Sequence, residues 1–185
     1  MASNYGNLGN VLKTRGDLAG AEEMYHKSLE INKKLKCPEG IASDYSCLGS
    51  VMQILGNLDG AEEMYRKSLD MFEKMGQPSG MAVNYCNLGI ILRDRGELDG
   101  AEEMHRKSLD VNEKLGHLER MANDYANLGI VLQTRGDLAE AEEMYHKSLD
   151  IAKQQGFTRI AETVGTLVEF LHQLAVENID ENPYP

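Results

Sequence analysis

The chain has 185 residues, 42% of them hydrophobic and 26% charged, with a formal net charge of −11. A field of that sign repels phosphate backbones and anionic lipid surfaces, so neither nucleic acid nor a membrane surface is an expected partner. Three cysteines, Cys37, Cys47 and Cys86, follow no metal-ligand spacing and cannot all pair, which points to a reducing compartment and to small buried or half-buried thiols.

The opening MASNYGNLGN carries neither a basic n-region nor an apolar h-region, and no stretch approaches the roughly 18 apolar residues of a membrane span. The chain reads as soluble and cytoplasmic.

Residues 7–31, NLGNVLKTRGDLAGAEEMYHKSLEI, return from Cys47, from Asn87 and from Asn127 at a constant offset of 40 residues. A fixed period in this range marks a solenoid, in which each unit covers a face that its neighbour cannot bury alone. Four tandem units fill 1–157, at about 3–43, 44–83, 84–123 and 124–157. Later units carry leaders such as CPEGIASDY and QPSGMAVNY that unit one lacks, consistent with an excised segment of a longer array.

In unit one, Tyr5, Leu8, Gly9 and Leu12 fall at i, i+3, i+4 and i+7 and form the core face of a first helix, A. Gly9, which returns as Gly49, Gly89 and Gly129, weakens a helix by about 1 kcal/mol relative to alanine, so its place calls for a close helix approach. Helix A ends at Gly16, Gly56, Gly96 and Gly136 in left-handed C′ geometry. Asp17, Asn57, Glu97 and Asp137 then open helix B, where free N–H groups and the helix dipole favour them.

Helix B buries Ala21, Met24, Tyr25, Ser28 and Leu29 and turns Glu22, Glu23, His26, Lys27 and Glu30 outward. Glu23–Lys27 and its three repeats are i,i+4 ion pairs in the favourable order. Breaks follow at Gly76, Gly116 and Gly156, and Pro38 and Pro78 suit the first turn of the next helix. After Phe157, aligning Leu167 with Leu128 requires one deletion and puts Val168 in the place of the close-packing glycine. A capping helix is expected over 158–179, then a frayed tail over 180–185.

Tyr5, Leu8-Gly9, Gly16, Ala21, Tyr25 and Ser28, with their in-phase copies, resemble the tetratricopeptide repeat family over nearly the whole chain. The period of 40 resembles the longer variants of kinesin light chains and Partner-of-Inscuteable type adaptors. His105 in the place of Tyr25, Cys47 in the place of Asn7 and Glu140 in the place of Gly20 are small departures. The resemblance implies an all-α fold: an α-solenoid of four helix-turn-helix hairpins plus a C-terminal capping helix, in a right-handed superhelical arc. Its concave groove, lined by the A helices, would hold a peptide or a partner's helix.

Helix geometry gives a groove lining independently, because positions at i, i+4 and i+7 off the core face share one surface. These are Gly6, Asn10 and Lys13; Ser46, Ser50 and Gln53; Cys86, Ile90 and Arg93; and Ala126, Ile130 and Gln133, flanked by Asn7, Asn87 and Asn127. The family's carboxylate clamp wants lysine where Gly6, Ser46, Cys86 and Ala126 stand, so an acidic C-terminal peptide is not expected. The lining is small and polar in the first half and apolar in the second, suiting a segment with apolar anchors and exposed amides. Lys13 and Arg93 are placed to meet acidic residues of such a segment. Two roles stay open for the asparagines, contact with a peptide backbone or a hydrogen bond between units, and Ile90 and Ile130 lie either in the groove or between A helices.

Glu22 with His26, and Glu142 with His146, offer only two ligands each and are read as solvated helix faces, so no metal or cofactor is expected. No catalytic motif is present. The expected function is a non-catalytic protein-protein interaction scaffold; the alternative is a structural module that self-associates end-to-end or exchanges terminal hairpins.

Overall fold

A computed structural model describes the backbone of residues 1–181 and the side chains of residues 1–173. Among the described residues it contains nine helices and no strand, the all-α helical repeat expected from the period. Two compact units divide the chain, Met1–Arg95 and Gly96–Pro185. The first holds α1 (Ala2–Thr14), α2 (Leu18–Lys34), α3 (Pro38–Ile54), α4 (Leu58–Met75) and α5 (Pro78–Asp94). The second holds α6 (Leu98–Leu115), α7 (Leu118–Arg135), α8 (Leu138–Gln155) and α9 (Thr158–Glu181). Of the tail read as frayed, Asp180 and Glu181 continue α9, and residues 182–185 lie outside the described residues.

In the first unit the turn from α1 to α2 is set locally. Gly16 takes φ +83°, and the Asp17 N–H closes on the Leu12 carbonyl at 3.0 Å, which satisfies a carbonyl the helix end would leave open. Asp17 then accepts the Gly20 N–H at 2.9 Å, and Asn57 accepts the Gly60 N–H at 3.0 Å, each a side-chain N-cap. Pro38 and Pro78 stand in the first turns of α3 and α5, where a missing N–H costs nothing. Lys36 occupies the left-handed region at φ +53°, the place that glycine fills at Gly76, Gly116 and Gly156.

The α1–α2 and α3–α4 hairpins each close on a glycine–tyrosine contact. A Cβ on Gly9 would stand 2.7 Å from the Tyr25 ring, and one on Gly49 would stand 2.8 Å from the Tyr65 ring, so the helices meet only because these positions carry no side chain. The serine that follows does more than stay small: Ser28 Oγ donates to the Ala2 carbonyl at 3.2 Å and Ser68 Oγ to the Ala42 carbonyl at 2.8 Å, tying helix B to the start of helix A. In the second unit Gly129 meets Tyr145 and Ser148 Oγ reaches the Ala122 carbonyl at 2.7 Å by the same construction.

Leu48 and Val51 of α3 pack with Ala21, Tyr25 and Leu29 of α2. The first helix A departs from this expected core face: Leu8 is 45% exposed, whereas Leu48 is 1% exposed. Leu48 is covered by α2, the helix that precedes it. The tyrosine of helix A is also only half-buried, at Tyr5, Tyr45, Tyr85 and Tyr125. Its ring serves as a platform for lysine, with Lys33 Nζ 5.4 Å from the Tyr45 ring centre and Lys147 Nζ 5.8 Å from that of Tyr125.

All four outward Glu–Lys pairs form, at 2.5 to 2.6 Å. In the two middle copies the glutamate beside them turns inward instead. In the first unit Glu62 of α4 and its neighbour Asp59 bind the Arg95 guanidinium. In the second, Arg135 lies 2.7 Å from Glu102 and 3.1 Å from Asp99.

The end of the second unit corrects the alignment with a deletion. Ile160, Val164, Val168 and Leu171 of α9 are buried against Ala141, Tyr145 and Ala152 of α8. That burial continues the 40-residue register unbroken, so Val168 replaces Leu128 and Leu171 replaces Val131. Cys37 is a second correction: it is exposed, because it precedes α3 in the turn rather than packing inside it, whereas Cys47 and Cys86 are half-buried.

Candidate functional site

The lining residues expected from helix spacing lie on the A helices, several with their polar groups already engaged. In the first unit Asn7 and Asn10 are exposed on α1, and Lys13 is half-buried. Asn10 Oδ1 accepts the Tyr25 hydroxyl at 2.7 Å, which leaves its amide hydrogens to face outward. Lys13 Nζ donates to Ser50 Oγ at 3.2 Å. On α3, Ser46, Ser50 and Gln53 are half-buried, and Gln53 Oε1 accepts the Tyr65 hydroxyl at 2.9 Å. Burial holds the Tyr25 and Tyr65 hydroxyls well above the ordinary phenol range, so both act as donors. On α5, Cys86, Asn87, Ile90 and Arg93 are half-buried, and Arg93 pairs with Asp94 at 2.7 Å rather than standing open.

Between α1 and α3 these residues border an open cleft of about 340 Å³. Its walls include Asn7, Asn10, Ser43 and Cys47, and Ser28, Asn32 and Asp44 lie among its deeper residues. Gly6 keeps the wall open, since a Cβ there would find only Ser28 Oγ, at 3.8 Å. Asp44 is 5% exposed, and its Oδ2 accepts from Asn32 Nδ2 at 2.7 Å. Burial pushes its carboxyl above the usual range, and the hydrogen bonds with Asn32 and Ser28 recover only part of that. A neighbouring cleft of about 240 Å³ shares Ser43 and Cys47 and continues along Ser46, Gly80, Val83 and Asn84.

Asp44 and Asn32 are absent from the lining predicted by spacing. A signal for them exists in the sequence: Asp44 stands four residues before the buried Leu48 on an otherwise apolar stripe, and a carboxylate there requires a buried partner.

In the second unit Ala126, Asn127, Ile130 and Gln133 are half-buried on α7, and Gln133 Oε1 accepts the Tyr145 hydroxyl at 2.6 Å. The cleft between α7 and α9, about 280 Å³, is lined by Ala126, Asn127 and Ile130 facing Ile160, Thr163, Val164 and Leu167. At the same repeat positions Ile130 replaces Asn10, Val164 replaces Asp44, Leu167 replaces Cys47 and Arg159 replaces Glu39. One backbone pattern thus carries a polar, acidic cleft in the first unit and an apolar one in the second. His105 is wholly buried in the seat that tyrosine takes elsewhere. His26 and His146 lie 3.9 and 3.6 Å from Glu22 and Glu142 on exposed helix faces.

Residues 2–179 match the family described as MalT-like TPR region. The fold resembles that of BtubC (BKLC) from P. vanneervenii, with a TM-score of 0.73 at 20% identity, over 94% of this chain and 80% of that one. It also resembles aspartyl phosphate phosphatase F from Bacillus subtilis, with a TM-score of 0.86 at 17% identity, over 97% of this chain and 46% of that one. At these identities the likeness concerns the fold alone. No curated protein matches the chain. Among the described residues no helix is long and apolar enough to cross a membrane.

Proposed function

The chain belongs to the MalT-like TPR region family, and from that premise we propose that it is a non-catalytic scaffold whose A helices hold a peptide or helical segment of a partner protein. The observation that carries this reading is the pair of open clefts at one repeat position, polar between α1 and α3 and apolar between α7 and α9. Clefts a few hundred Å³ in volume accept single side chains of an extended segment, and asparagine amides offer donors and acceptors to its backbone. The asparagines Asn7, Asn87 and Asn127 are the proposed backbone contacts, with Asn10, Lys13, Ser46, Ser50, Gln53, Ile90, Arg93, Ile130 and Gln133 around them. Phosphatase activity stays with the Bacillus protein that bears the name.

The test is selection of binders from a random peptide library, followed by affinity measurement on the wild-type chain and on Asn87→Ala/Asn127→Ala. Loss of two backbone contacts should weaken the selected peptides about tenfold or more at unchanged helicity. Failure to select any peptide, or equal affinity for the variant, would overturn the reading.

A second reading, self-association, is favoured by Leu8 and Val11, 45% and 46% exposed on α1. An apolar helix face of this kind is a surface a second copy can cover. A light-scattering mass measured on the same samples decides it: growth with concentration that Leu8→Asp abolishes supports association, and a constant monomeric mass rejects it.

A further inference from the structure

We infer that the cleft between α1 and α3 is a subsite for a cationic side chain, an arginine or lysine of the bound segment, with the Asp44 carboxylate as its counter-charge. The inference rests on the peptide-binding reading of the A helices and names one feature that the peptide must carry.

The first observation is a carboxylate without a counter-charge. Asp44 is 5% exposed and borders the cleft. Asn32, which donates to it, and Ser28 beside it are both neutral. A buried carboxylate held only by neutral donors gains from a cation, because desolvation strengthens the charge-assisted bond it can still form. Glu39 adds a second acidic group to the lining, and no basic residue lines the cleft. Lys13, the basic residue of this part of α1, is turned to Ser50.

The second observation is independent of the acidic pair. In the adjoining cleft Asn84 is wholly buried. Its Nδ2 donates to Ser68 Oγ at 3.0 Å and to the Gly80 carbonyl at 2.8 Å, which fixes the amide's orientation. Its Oδ1 has no donor. Two neighbouring clefts that share Ser43 and Cys47 therefore both hold spare acceptor capacity, and a group rich in N–H donors is the complement. A guanidinium, with its five donors, suits them best.

The second unit supplies an internal contrast. Val164 and Arg159 occupy the places of Asp44 and Glu39, so the α7–α9 cleft has no carboxylate at these positions and one cation, and it excludes the same side chain.

The subsite can be tested without knowing the partner. The full chain is titrated with N-acetyl-arginine amide and with the uncharged isostere N-acetyl-citrulline amide, following the Asn10 and Asn32 side-chain amides and the Gly40 backbone amide by NMR. The expected result is saturable shifts with the arginine probe, at least about tenfold weaker binding of the citrulline probe, and a similar loss in Asp44→Asn. No saturation with arginine, equal binding of citrulline, or unchanged affinity in a normally helical Asp44→Asn chain would each overturn the assignment. Should Asp44→Asn lose helicity, Glu39→Gln must still weaken the arginine probe measurably, and unchanged affinity there rejects the subsite. The library selection separates the two claims. Peptides selected without any arginine or lysine preference sink the subsite alone. Arginine saturation with no selectable peptide sinks the peptide reading and leaves the cation site standing.

Discussion

Lys36 shows how a single residue can lag behind its own repeat. The turn after helix B demands a left-handed residue, and glycine supplies it at Gly76, Gly116 and Gly156, but the first copy places lysine there at φ +53°. A side chain with a Cβ in that region costs about 1–2 kcal/mol, so Lys36→Gly is expected to stabilise the chain by about 1 kcal/mol once glycine's extra freedom when unfolded is counted. The check is urea unfolding: a raised midpoint at unchanged slope is expected, and an equal or lower midpoint contradicts the strain. Asp44 is a second case at this scale. Its carboxyl is raised by burial, so its contribution to stability is present at low pH and is lost as pH rises through its folded-state value.

At the scale of helices, the contact between one helix B and the next helix A is written in a small charge code. Asp59 and Glu62 of α4 receive Arg95, and Asp99 and Glu102 of α6 receive Arg135. In the first copy the places of Asp59 and Arg95 hold Ala19 and Leu55, while Glu22 keeps the place of Glu62, so the aspartate and the arginine enter or leave together. Burial raises the Glu62 carboxyl, but the bonds from Arg66 and Arg95 outweigh it and hold the group below the usual range. Its contribution to stability is therefore present above the unfolded-state value and is lost as pH falls through the folded one. Arg95→Leu alone should cost about 1–2 kcal/mol, since it strips a mostly buried Glu62 of a partner. Adding Asp59→Ala, which restores the first copy's pair, should cost less than the two single changes summed, by about 0.5–1 kcal/mol. Strict additivity in denaturant unfolding would refute the code.

For the molecule as a whole, α9 packs on the second unit's last hairpin. Ile160, Val164, Val168 and Leu171 cover Ala141, Tyr145 and Ala152, and each such side chain contributes about 1.5–3 kcal/mol on burial. Removing residues 158–185 should lower the unfolding temperature and leave an apolar face that aggregates on heating, read by calorimetry and light scattering. An unchanged melting temperature would show that α9 is not a cap.

The sequence by itself determined the repeat, its helices and its turns, because these follow from local rules that recur every 40 residues. Glycine is needed at φ +83° after helix A and where a Tyr25 ring presses on Gly9, Asp17 and Asn57 cap α2 and α4, and proline opens α3 and α5. The outward Glu23–Lys27 series was legible for the same reason, as a spacing on one helix. Only the tertiary structure decided what lies at the bottom of the clefts. Asn32 and Asp44, like Tyr65 and Gln53, sit twelve residues apart on different helices and meet only when those helices pack. Periodicity ranks a residue by the face it occupies, and the chemistry of a cleft depends on which faces are brought together. Asp44 is therefore absent from the lining given by helix spacing, and only the packing of α2 against α3 encloses its carboxylate with the neutral Asn32.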